Sequence, residues 1–139
     1  MVDRATLDHL LSSLKAYLDV LDELANVPRE AFLANRDKIG NAKYHFVIAI
    51  ECAIDIANHL IASEGYRFPR DNADSFSVLL EHGIVDPAWL EALRGMARFR
   101  NRLVHLYWEV DDGRVYDYLQ EGRGDLARFA RTVAAHPWP

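Results

Sequence analysis

The chain has a single cysteine in 139 residues, Cys52, and so has no internal disulfide, no zinc ribbon and no thioredoxin-like pair. Such a chain suits a reducing compartment, and a cytoplasmic location is expected. A surplus of positive charge is also missing. The net charge is -5 and the isoelectric point is near 5.6, which excludes indiscriminate coating of nucleic acid and leaves room only for a local basic site. Long hydrophobic runs are absent too: the most apolar stretch, Phe46 to Ile61, is broken by Glu51, Asp55, Asn58 and His59. It falls short of the roughly 20 apolar residues that span a bilayer and reads as a buried helix. Met1-Val2-Asp3-Arg4-Ala5 carries an early acid and leads into an amphipathic helix, so no export signal and no membrane association are expected. There is no internal repeat, no low-complexity tract and no convincing strand alternation.

What is present suits one folded domain spanning 1–139. Half of the residues are hydrophobic and 27% are charged, and a single core serves a chain of about this length. Leu7, Leu10, Leu11, Leu14, Tyr17, Leu18, Leu21 and Leu24 fall at three-and-four spacing and predict a helix from Thr6 to about Ala25. Pro28 interrupts the pattern, and Arg29 to Asn35 can form a short helical turn. From Lys38 to Ser63 apolar residues surround nearly the whole circumference. That helix belongs either at the centre of a bundle or against another subunit. Gly65 to Asp74 is turn chemistry. A short helix follows, with Asp74 or Ser75 as its N-cap and Gly83 suited to a left-handed C-terminal cap. Asp86-Pro87 opens a fourth helix running to about Val104, with Leu90, Leu93, Met96, Ala97, Leu103 and Val104 along one side. Val110 to Gly113 reads as a turn. A final helix, Arg114 to Ala135, has a middle that Gly122 and Gly124 would loosen. The expected fold is all-α, an antiparallel up-and-down bundle of four to five helices.

The end of the fourth helix carries more polar chemistry than a structural helix needs: Arg94, Arg98, Arg100, Asn101, Arg102, His105 and, just beyond, Tyr107. At about 100° per residue, Arg94, Arg98, Asn101, Arg102 and His105 share one broad face, whereas Arg100 falls among Leu93, Met96, Ala97 and Leu103. An arginine there must be paired or near a cleft. In an unbroken helix Arg100 and His105 point about 140° apart. Acting together therefore requires unwinding near Val104, a reach around the helix by Arg100, or a second copy of the chain; this constraint favours a dimer.

Arg100-Asn101, then His105 and Tyr107, in this spacing after this order of helices resembles the HEPN superfamily, and within it the HepT-like toxins of toxin–antitoxin modules. Ala53 to His59 and Asp74-Ser75-Phe76 leading to Leu79 and Gly83-Ile84 look similar to the same group, so the resemblance spans most of the chain. It implies a HEPN-like homodimer with metal-independent endoribonuclease activity and no cofactor. His105 would act as general base or acid, Arg100 would stabilise charge on the phosphorane, and Asn101 would orient the imidazole or the phosphate. Arg94, Arg98 and Arg102 would guide the RNA backbone. Tyr107 would stack on a base or hold a phosphate. The resemblance also makes Tyr107 the residue that a partner nucleotidyltransferase antitoxin, MntA-like, modifies with AMP.

Each of these residues also has a purely structural reading. Arg100 can form an interior ion pair with Asp55 or Glu51, and His105 can simply favour the helix C-terminus through the dipole. The arginines at 94, 98 and 102 read by default as a solvated face. Tyr107 and Trp108, taken without the motif, close the bundle by packing. His45 and His59 are too far apart for a metal pair, and Cys52 reads as a small core residue. The alternative function is a catalytically silent HEPN module that binds a nucleotidyltransferase or nucleotide as a scaffold. The remaining possibility is a helical protein whose motif is accidental.

Overall fold

A computed structural model describes residues Met1–Pro139 and consists of six α-helices with no strand. They are α1 (Arg4–Ala25), α2 (Arg29–Leu33), α3 (Arg36–Glu64), α4 (Asn72–Glu81), α5 (Pro87–His105) and α6 (Asp112–Ala135), with a 3₁₀ turn at Tyr107–Glu109. The four long helices form the expected bundle. Side-chain caps start them: Asp3 accepts from the amides of Ala5 and Thr6, Asn35 from Lys38, Asp86 from Trp89 and Asp111 from Gly113.

The all-round apolar character of α3 is explained by its central place, packed against α1, α4, α5 and α6. By length and composition α3 could cross a bilayer, but thirteen of its residues are buried inside the fold. The core continues through Phe46, Phe76, Phe129 and Leu93, all essentially inaccessible. Their rings meet edge to face: Phe46 lies 5.7 Å from Phe99, and Phe76 lies 5.5 Å from Phe129.

Three expectations about local structure change. Asp71, not Asp74 or Ser75, caps α4, accepting from the Asp74 amide at 2.7 Å. Asp74 is instead held by Arg67, whose guanidinium donates at 2.8 and 3.0 Å, and by the Arg70 amide at 2.8 Å. These donors push its carboxyl well below the usual carboxylate range. Val104, expected on the buried side of α5, is exposed because the helix is leaving the bundle at its last turn.

The third change concerns α6, which runs without a break through Gly122 and Gly124 and begins two residues earlier than the sequence suggests. Gly122 is buried, and a Cβ there would lie 2.7 Å from Cδ1 of Tyr118. The missing side chain makes room for the Tyr118 ring, which stacks on Phe99 with centroids 4.0 Å apart. Gly124 faces open space. Gly122→Ala should therefore destabilise the fold by about 1–3 kcal/mol through displacement of Tyr118. Gly124→Ala should stabilise it by about 0.5–1 kcal/mol through helix propensity. Urea unfolding of the two variants checks both signs.

Candidate functional site

Helix α5 is anchored at its start by Asp86 and Pro87 and by a seam of Trp89, Leu93, Met96, Ala97, Phe99 and Leu103 turned into the bundle. Arg100 rises from that seam at the boundary with α3. Its Nε and Nη2 both donate to Oε1 of Glu51, at 3.1 and 2.6 Å, and its Nη1 donates to Oδ1 of Asn101 at 3.0 Å. Of the two carboxylates offered by the sequence, Glu51 is the partner. Asp55 is exposed one turn further along, and its carboxyl is pushed up first by desolvation and then by the nearby Glu51 charge. The Arg100 side chain is 20% exposed and that of Glu51 40%, so the pair lies at the rim of the bundle, within reach of a ligand.

The helix does not unwind near Val104. The Leu106 amide still donates to the Arg102 carbonyl at 2.8 Å, and only after His105 does the backbone change, into the 3₁₀ turn that leads to α6. The imidazole of His105 is exposed and makes no hydrogen bond within the chain. Arg100 and His105 thus project differently from one rigid helix, as the register requires. Asn101 contacts only the first of them. It is four residues before His105 on the same face, and its amide oxygen draws one end of the Arg100 guanidinium round toward that face.

The other three arginines fare differently. Arg98 pairs with Glu91 at 3.3 Å, and both partners are largely exposed. Arg102 is exposed and unpaired, and Arg94 is half-buried with no partner, its Nε out of contact with solvent. The reading of a solvated face thus fits Arg98 and Arg102, and an ion pair forms at Arg98 alone.

Tyr107 and Trp108 do not close the bundle: they are 50% and 76% exposed, and Leu106 beside them is 37% exposed. The 3₁₀ turn holds them outside because the chain is turning from α5 into α6 there. One important residue was passed over in the sequence. Lys43 of α3 is buried, paired with Asp112 at 3.1 Å, and its ammonium lies 4.3 Å from the centroid of the Tyr107 ring. The available signal was a lysine between Ala42 and Phe46, where the helical pattern calls for core. No three His, Cys, Asp or Glu side chains come close enough together to hold a metal ion.

Comparison with known proteins places this geometry in context. The family model described as ribonuclease HepT-like matches residues 14–133, which include every residue of the site. A protein of Aphanizomenon flos-aquae named tRNA nuclease HepT is 23% identical over 135 residues, covering 97% of this chain and 92% of its own. A Shewanella oneidensis protein named mRNA nuclease HepT is 29% identical over 85 residues, covering 61% of this chain and 64% of its own. Among solved structures, the tri-AMPylated Shewanella oneidensis HEPN toxin in complex with MNT antitoxin superposes with a TM-score of 0.86 at 21% identity, over 94% of this chain and 97% of that one.

The rim position of the Arg100–Glu51 pair sets its energetic weight. Arg100→Ala should cost about 1–2 kcal/mol of stability in chemical denaturation, because water can replace part of what Glu51 loses. A loss above 4 kcal/mol would mark the pair as an interior one, and loss of function in that variant would then reflect unfolding.

Proposed function

The chain belongs to the ribonuclease HepT-like family, and from that membership we propose that it is a metal-independent endoribonuclease toxin in which Arg100, Asn101 and His105 cleave RNA. The observation that carries the reading is the end of α5: a rim-exposed guanidinium held by Glu51 and contacted by Asn101, with an exposed, unengaged imidazole one turn after Asn101.

The chemistry follows from what those groups can do. His105 takes the proton from a ribose 2′-hydroxyl as the oxygen attacks the adjacent phosphorus. The bond from phosphorus to the 5′-oxygen breaks, a proton is returned to that oxygen, and a 2′,3′-cyclic phosphate remains. Arg100 places its planar donors on the oxygens where negative charge grows, so no metal is required. DNA, lacking the attacking hydroxyl, is refused. Glu51 keeps the guanidinium oriented until a phosphate competes for it. Arg94, Arg98 and Arg102 line the approach to the cut and draw the RNA backbone along α5.

One copy supplies only one imidazole, and Arg100 faces away from it by the helical register. The apolar side chains around the motif, Val104, Leu106 and Trp108, are exposed to an extent that a second copy would relieve. We read the active form as a homodimer in which the two α5 ends meet across the RNA. One His105 then takes the 2′-proton while the other, as its imidazolium, gives a proton to the leaving 5′-oxygen.

Tyr107 is the point of control. Its ring is held over the Lys43 ammonium at the mouth of the site, and half of its surface is open to a modifying enzyme. Transfer of AMP to its hydroxyl by an MntA-like nucleotidyltransferase antitoxin would put bulky negative charge where an RNA phosphate must enter. The complex formed by the structurally similar Shewanella oneidensis toxin supports this assignment.

Purified protein incubated with total RNA in EDTA should yield fragments with cyclic phosphate ends. His105→Ala and Arg100→Ala should each lower the rate about 100-fold or more, and Asn101→Ala by a smaller factor. Cleavage that needs an added metal, or that survives either of the first two substitutions, overturns the mechanism. An inert protein that still binds a nucleotidyltransferase would point to a scaffold instead. Light scattering at micromolar concentration should give twice the chain mass, and Trp108→Glu should shift it toward the monomer. A wild-type monomer removes the composite site.

A further inference from the structure

The α5 face that carries Asn101 and His105 continues through Arg98 to Arg94, two turns and about 10.5 Å back along the axis. There it meets a cavity of about 560 Å³ between α4 and α5, lined among others by Arg67, Arg70, Asp74, Ser77, Glu81 and Arg94. The acids in this cavity are already engaged. Arg67 donates to Asp74 at 2.8 and 3.0 Å and to Glu81 at 3.0 and 2.9 Å, and Asp74 also accepts the Arg70 amide.

What remains is a set of donors without acceptors. Arg94 makes no hydrogen bond or ion pair, and its Nε is buried; the Ser77 hydroxyl is buried and unpartnered as well. The Arg70 guanidinium, 84% exposed, is held only by a loose ion pair to Asp74 at 3.6 Å, with the rest of its donors facing solvent. Arg94 and Ser77 both line one hollow, and of their donors the Arg94 Nη groups are the ones that are neither paired nor shielded from solvent. Their complement is an anion. The three arginines are matched in number by Asp71, Asp74 and Glu81, so a singly charged group suits the site better than a dianion.

Beside the cavity, in the loop between α3 and α4, Phe68 is 89% exposed, the most exposed aromatic ring in the chain. It adjoins Arg67, whose Nη1 donates to its carbonyl at 3.5 Å. An aromatic face next to a phosphate-sized donor set is the arrangement that binds single-stranded nucleic acid.

We propose that this cavity is a second nucleotide subsite of the RNA cleft, holding a backbone phosphodiester on Arg94 and Arg70 while Phe68 stacks a neighbouring base. The inference rests on the ribonuclease reading and extends it: the substrate is a single strand gripped at a distance from the cut, with its backbone running along α5. A strand that fills both ends of this face is favoured over a short fragment.

The test uses an all-2′-O-methyl RNA octamer, which cannot supply the attacking hydroxyl, so binding is read apart from cleavage. Fluorescence anisotropy should show roughly 5- to 30-fold weaker binding for Arg94→Gln and for Phe68→Ala. The salt dependence should fall by about one ion for Arg94→Gln and stay unchanged for Phe68→Ala. In the wild-type protein, dimethyl phosphate should move the Arg94 Nε–H resonance at concentrations where inorganic phosphate, mostly dianionic at about pH 7.5, acts more weakly. Equal octamer binding by wild type and both variants overturns the subsite, and the cleavage assay in EDTA then decides the nuclease reading separately. Movement of the Arg94 signal with phosphate but no effect of Arg94→Gln on octamer binding reduces the cavity to an anion site unrelated to RNA, and also overturns the proposal. A change of oligomeric state in Phe68→Ala assigns that ring to a subunit contact and removes the stacking platform.

Discussion

The ion pair between Arg100 and Glu51 is the contact on which the site depends. A guanidinium on the inner side of a packed helix has to be neutralised, and Glu51 on α3 does so from the neighbouring helix. The pairing also fixes the direction of the long arginine side chain, which would otherwise have many rotamers to choose from. Because the pair is at the rim and not in the interior, it costs less desolvation than a buried pair and leaves a polar edge open to solvent. The same contact joins the fold to the chemistry: it holds α5 against α3, and it aims the Nη1 group at Asn101.

Around this contact the bundle acts as a rigid frame. Helix α3 packs against all five other helices, so both Glu51 and Lys43 project from an element that has little freedom to move. Lys43 performs for Tyr107 a service like the one Glu51 performs for Arg100. It places a charge under the aromatic ring and keeps it at the turn where α5 ends. Tyr107 and Arg100 are thus both positioned from the core helix.

The helices and their faces were readable in advance because three-and-four spacing, Pro28, Asp86-Pro87 and Gly83 act locally. The errors occurred where a distant side chain decides. Asp74 looks like a cap, but Arg67 claims it and Asp71 takes the capping role. Gly122 looks like a weak point, but Tyr118 and Phe99 need the room it leaves. Trp108 looks like a packing residue, but the turn after α5 carries it outward. Lys43 was missed because a lone lysine in an apolar helix gains its meaning only from Asp112 and Tyr107, more than 60 residues away in sequence.

The sequence by itself determined the helical class, the order of the helices, the residues of the motif and the angular conflict between Arg100 and His105, since all of these follow from composition and from the fixed rotation of an α-helix. The tertiary structure alone decided which carboxylate holds Arg100, that Asn101 is its second contact, that Lys43 underlies Tyr107, and that Arg94 and Ser77 share a hollow with Arg67. Pairings between helices depend on how the bundle brings its faces together, and no local pattern records that.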